Sequence, residues 1–164
     1  MAHPTSSVTA PHLAPSHLEP TVHDRHAPSW HRDAAAVAEA VFSKSSTASA
    51  EHGHETLEPP PAARIDWMVD DLDHFLLSVG GRSRFVFRAA LTTLVTLGPV
   101  TVGSLRPFAS LSLADRVRDL ERLDQPLAGP AALCVFAVKT LMSFLWFEHP
   151  DTQVEAGLVR GARP

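Results

Sequence analysis

The apolar residues of this chain fall into periodic stretches after residue 61 and are scattered before it. From Arg64 to Val79, the residues Ile65, Met68, Leu72, Phe75, Leu76 and Val79 recur at i, i+3, i+4 spacing. Asp66, Asp70, Asp73 and His74 take the other faces, which predicts an amphipathic helix. Gly80-Gly81 stops it through left-handed backbone. Ser83 can cap a second helix that runs to about Leu97 and ends at Gly98-Pro99. Phe87, Ala90, Leu91, Leu94 and Leu97 fill much of that helix, while Arg84, Arg88, Thr92 and Thr96 step by four down one side. Residues 100–105, VTVGSL, form a connector. Ser112 and Asp115 make an S-x-x-D capping box. It opens a charged helix, Leu113–Asp124, with Leu113, Val117, Leu120 and Leu123 inward and Pro126 at its end or kink.

Leu127–Phe147 is the longest apolar run, and Lys139 is its only formal charge. Helix of that length reaches about 30 Å, which suits either a bilayer's hydrocarbon core or the centre of a bundle. On a 3.6-residue wheel Ala128, Ala132, Lys139 and Ser143 share one strip, with Trp146 beside them. A lysine at mid-span costs about 2.5–3.5 kcal/mol. The helices at 64–79 and 83–97 also need a large apolar partner. The expected fold is therefore all-α, a compact bundle of four to five helices around this central apolar helix.

A two-helix membrane anchor using 85–105 and 127–147 is the alternative. Inside a bundle the Lys139 ammonium must snorkel or pair with a carboxylate, for which Asp66, Asp70 and Asp115 are candidates. A desolvated lysine can also act as a Schiff-base nucleophile, so a small enzyme using Lys139 is a second alternative.

Before residue 62 the pattern changes. Pro4, Pro11, Pro15, Pro20 and Pro28 interrupt a polar stretch with too few apolar residues to offset the entropy of ordering, which predicts a disordered tail. Asp33–Lys44 is a short, alanine-rich helix candidate that needs something to dock on. Residues 45–61 read as linker, closed by Pro59, Pro60 and Pro61. The expected organisation is a His/Pro-rich tail over 1–61 with one short helix near 33–44, a helical domain over 62–158, and a C-terminal tail over 159–164.

Composition adds mainly exclusions. The 164 residues carry a net charge of −4, and residues 1–61 hold seven acidic against three basic side chains while the remainder balances, so nothing favours nucleic acid. A lone cysteine, Cys134, excludes an intramolecular disulfide and every multi-cysteine metal motif. Eight of the ten histidines precede residue 55, yet no pair sits at i, i+4 on a credible helix. A polar tail that happens to be His-rich is the plainer account than a zinc or nickel site. Asp70, Asp71 and Asp73 lack the glycine turn and terminal Glu of an EF-hand and read as a solvated face. The N-terminus shows neither a secretory signal nor a twin-arginine pair, which predicts a cytoplasmic address.

The order of features after residue 62 carries a resemblance. An amphipathic helix and an arginine-bearing successor precede R-P-F-x-x-L-S-x-x-x-R, which is Arg106, Pro107, Phe108, Leu111, Ser112 and Arg116. An apolar helix with A-x-K-x-L (Ala137, Lys139, Leu141) then runs into L-W-F-x-H-P, with Trp146, Phe147 and Pro150, and a nearby Gly157. Over roughly residues 65–158 this resembles the gluconate 2-dehydrogenase subunit 3-like family, and it is similar to the helical region preceding the flavin domain of long-chain alcohol oxidases.

The resemblance implies a non-catalytic accessory subunit that binds no cofactor itself. Its partner would be a flavin-dependent dehydrogenase of the glucose–methanol–choline (GMC) type, which holds the FAD and passes electrons to a cytochrome c or quinone-linked acceptor. Many relatives carry a twin-arginine signal and this chain does not, so export through a partner's signal is the alternative to the cytoplasm. Tyrosines common near the last motif are replaced by LWFEHP. In the plain structural reading Phe108 and Leu111 staple the 113–124 helix, Pro107 stiffens its start, and Arg116 pairs with Asp115 or Asp119. Trp67, Trp146 and Phe147 are expected to contribute to an open apolar patch for the partner.

Overall fold

A computed structural model of the chain describes residues 29–46, 56–101, 103–125 and 129–158. The expected tails before residue 29 and after residue 158, and Pro126, Leu127 and Ala128, lie outside them. The described residues form an all-α bundle. In chain order its helices are α1 (Ser29–Val41), α2 (Ala62–Ser78), α3 (Gly81–Thr101), α4 (Leu113–Leu123), α5 (Pro130–Glu148) and α6 (Pro150–Glu155). A 3-10 turn, Phe108–Ser110, precedes α4. The two ends of the segment read as linker pair as short antiparallel strands, β1 (Lys44–Ser46) and β2 (Thr56–Glu58), with Lys44 opposite Glu58.

α5 packs against α2, α3, α4 and α6 and is the apolar hub of the bundle. Its inward residues Val135, Val138 and Met142 are fully buried, with Leu145 and Trp146 nearly so. α1 belongs to the same core. Ala34, Val37 and Ala38 have no exposed surface, and the helix packs on α2, α3 and α4. The folded unit thus extends N-terminal to the 62–158 domain expected from the sequence. The small alanine side chains let α1 approach its neighbours closely, and long-range contacts then hold a helix that local propensity leaves marginal.

Three of those contacts are specific. The Arg88 guanidinium lies over the Trp30 ring, 4.7 Å from its centroid. Arg116 Nη1 donates to the Ala36 carbonyl at 3.0 Å and to Glu39 Oε2 at 2.7 Å. Arg116 therefore pairs across to α1 and not with Asp115 or Asp119 on its own helix. Trp146 stacks on Phe42 just beyond α1, centroids 4.3 Å apart and planes within 7°. The Arg64 guanidinium also lies over the Trp146 ring, 5.2 Å from its centroid. Arg64 in turn makes a two-pronged ion pair with Glu155 of α6, at 3.1 and 2.9 Å. Trp146 is thus core, not part of an open patch.

Helix ends explain two further departures. Gly80, at φ 91°, closes α2 as expected, but α3 then begins at Gly81, so Ser83 sits in its first turn and not at its cap. α3 also continues through Gly98 and Pro99 to Thr101. Its stop is Gly103 at φ 75°, with the Gly103 amide donating to the Val100 carbonyl and the Ser104 amide to the Pro99 carbonyl. Gly98 serves clearance, because a Cβ there would lie 3.3 Å from the Phe108 ring and 3.5 Å from Asp119 Oδ2. Ser112 does cap α4, its Oγ accepting from the Asp115 amide and donating to Asp115 Oδ2.

Trp146→Ala should lower unfolding free energy by about 3–5 kcal/mol, since it removes a buried ring on which Phe42 and Arg64 pack. Phe85→Ala, at a position 71% exposed, should change it by no more than about 0.5 kcal/mol. Urea titration followed by tryptophan-independent far-UV circular dichroism checks both.

Candidate functional site

Only one side of α5 is covered. Its opposite side presents Leu133, Phe136, Phe144 and Phe147, exposed by 71, 67, 66 and 48%. Steps of three, four, four and three through Thr140 hold them in line on a 3.6-residue helix. Phe136, Phe144 and Phe147, with Lys139, Thr140, Ser143 and Asp124 from the end of α4, line a groove of about 550 Å³. Lys139 Nζ donates to Asp124 Oδ2 at 2.9 Å, and both side chains are partly exposed. The Lys139 carboxylate partner is therefore Asp124, not Asp66, Asp70 or Asp115. A surface ion pair of this kind contributes little stability, but it neutralises the rim of an apolar groove. A solvated, paired ammonium is not the desolvated amine that Schiff-base chemistry requires.

A second open region lies at the C-terminal end of α3. Leu97 and Val100 share one helix face and are exposed, and Leu105 is 98% exposed. Arg106 and Pro107 follow, also exposed. What holds this loop is its flank. Phe108, 1% exposed, inserts beside Gly98, Leu111 packs on the same core, and the Arg106 amide donates to Ser104 Oγ at 3.1 Å. The motif block thus divides into a buried clamp, Phe108 and Leu111, and a displayed Leu105–Pro107.

The remaining motif residues do not gather with these. Pro150 is the first residue of α6, whose start His149 caps by accepting from the Asp151 amide at Nδ1. Gly157 ends that helix at φ 71°, with the Leu158 amide donating to the Gln153 carbonyl. Both build a helix that the sequence reading did not include. Its signals were a proline and a glycine seven residues apart. Lys139 and Phe147 are brought together at the α5 groove; Arg106 and Pro107 stand at the α3 loop; Ser112 and Arg116 serve α4. Trp67 is half-buried, edge-on to His149 at 4.8 Å. Among the described residues no three His, Cys, Asp or Glu side chains come together to hold a metal ion.

Sequence reasoning missed Phe136 and Phe144, because in a helix apolar all round no face stands out by spacing. It also missed Asp119, which has no exposed surface. Thr101 Oγ1 faces its Oδ1 at 3.5 Å, while Oδ2 has no hydrogen-bond partner. Burial pushes this carboxyl up to about 6 from 3.8, only partly opposed by the Thr101 hydroxyl and by Arg122 and Arg118. By contrast, the Arg64 guanidinium holds the Glu155 carboxyl below its usual range.

Among the described residues α5 is the one helix long and apolar enough to cross a membrane. Its inner face is nonetheless built into the core. Compared with protein-family models, curated proteins and solved structures, the chain finds no match.

The Asp119 environment makes a pH prediction. A carboxyl that binds its proton more tightly folded than unfolded adds stability below about pH 3.8, and that stability is lost as pH rises through about 6. Asp119→Asn should therefore be more stable than the natural chain at pH 7.5, by at most about 3 kcal/mol. Its advantage should stay level well above pH 6 and shrink as pH falls below about 6, in thermal melts run in parallel.

Proposed function

We propose that this chain is a non-catalytic accessory subunit that docks on, and stabilises or matures, a flavin-dependent oxidoreductase of the GMC type. The observation that carries the docking role is the Leu105–Pro107 loop. A leucine almost wholly in solvent, followed by an arginine and a proline, is held out by a phenylalanine locked in the core. Natural monomers scatter single exposed leucines, but here Leu97 and Val100 add apolar surface at the same end of α3. Arginine is enriched at binding hot spots. The order of motifs in the sequence supports the choice of partner, since Arg106 and Pro107 belong to the block that resembles the subunit 3-like family.

In this reading the FAD, the substrate and the route to a cytochrome c or quinone-linked acceptor all belong to the partner. This chain contributes a rigid apolar surface that covers part of the flavoprotein. It works in the cytoplasm or travels with an exported partner. A membrane-anchor role is less well supported, because spanning would strip α5 from α3 and expose Arg88, which now lies over Trp30.

Co-expressed with a GMC-type flavoprotein from its own gene neighbourhood, the tagged chain should retain that protein with FAD bound through affinity and size-exclusion steps. Leu105→Asp combined with Arg106→Glu should weaken the complex about 30-fold, equivalent to about 2 kcal/mol. Far-UV circular dichroism should not change. A chain that never co-purifies with the flavoprotein refutes the proposal.

A further inference from the structure

The open face of α5 has an order of large and small side chains that is the same in both directions. Counting outward from Thr140, positions four residues away are Phe136 and Phe144, and positions seven away are Leu133 and Phe147. The positions three away are small, Ala137 and Ser143. The dyad position, Thr140, falls one residue from the middle of the Pro130–Glu148 helix. A twofold axis through Thr140 would lay two α5 helices antiparallel, with Phe136 on Phe144 of the other copy and Leu133 on Phe147. The small residues at the crossing would let the backbones approach. Self-complementarity of this kind is what an isologous contact requires.

We propose that a second copy of this chain covers the α5 face, making the protein a homodimer through an antiparallel α5–α5 contact. Area and charge both support the assignment. At about 150–250 Å² per large side chain, the exposed portions of the four flanking residues offer roughly 500 Å² per copy. The pair would then bury about 1,000 Å², the threshold of a specific interface. Near a dyad any unpaired charge meets its own copy at short range. Lys139 is the face's one charge, and Asp124 neutralises it within the same chain at 2.9 Å. The proposal is independent of the flavoprotein reading, which uses the α3 loop.

Sedimentation equilibrium of the full chain at about 50 μM should give twice the 17.7 kDa chain mass. Phe144→Asp, at a position largely in solvent, should give the single mass with unchanged far-UV circular dichroism and unchanged retention of the flavoprotein. In a Cys134→Ser background, Thr140→Cys should form a disulfide-linked dimer under mild oxidation. A single mass for the unaltered chain overturns the proposal, and co-sedimentation of that monomer with phosphatidylcholine vesicles would identify a membrane surface as the occupant instead. A dimer that survives Phe144→Asp, or that fails to cross-link at position 140, places the contact elsewhere and equally overturns it.

Discussion

Trp146 is the residue on which the bundle converges. Phe42 stacks on its ring and the Arg64 guanidinium also lies over it, so one indole joins the segment after α1, the first turn of α2 and the end of α5. Glu155 extends the contact to α6 by holding Arg64 from the far side. Each link is modest alone. Cation–aromatic and stacked-ring contacts each contribute on the order of 1 kcal/mol beyond area burial. Their value lies in geometry, because they tie three separate segments to one buried ring.

Packing against α2, α3, α4 and α6 decides which side of α5 faces out. Nearly every residue of this helix is apolar, so burial alone would accept several orientations. With Trp146, Val138 and Met142 turned inward, Leu133, Phe136, Phe144 and Phe147 must point to solvent. The groove with its Lys139–Asp124 rim is left on the uncovered part of α5. The same logic operates at the end of α3. A Cβ at position 98 would crowd the Phe108 ring, so the glycine eases its insertion, which leaves Leu105, Arg106 and Pro107 displayed. In both places an exposed surface is held rigid by a buried clamp, which lowers the entropic cost of docking.

Asp119 shows a different compromise. A carboxyl without exposed surface, one oxygen lacking any hydrogen bond, destabilises the charged form and is tolerated because Thr101 and the arginines on α4 partly offset it. It sits against Gly98 and beside the carbonyl that Arg122 caps at Thr101. The α3–α4 contact is thereby polar at its centre and apolar at Phe108.

The sequence by itself determined the helical class, the amphipathic α2, the capped α4 and the existence of one long apolar helix. These are local matters of periodicity, capping and propensity, legible wherever side chains three and four apart share a face. It also singled out Phe108 and Leu111 as staples. Tertiary structure decided the rest. Arg116 reaches 77 residues back to Glu39, and Arg64 reaches 91 forward to Glu155; no local pattern contains such partners. The alanine-rich α1 became core because other helices closed over it. Gly98-Pro99 looked like a stop, but the helix needed the glycine for clearance and found its stop at Gly103. Most of all, the docking face of α5 could not be read from a segment apolar on every side. Which of its faces stays open is set by the helices that pack on α5 and by contacts such as Phe42 and Arg64 on Trp146, all made only when the chain has folded.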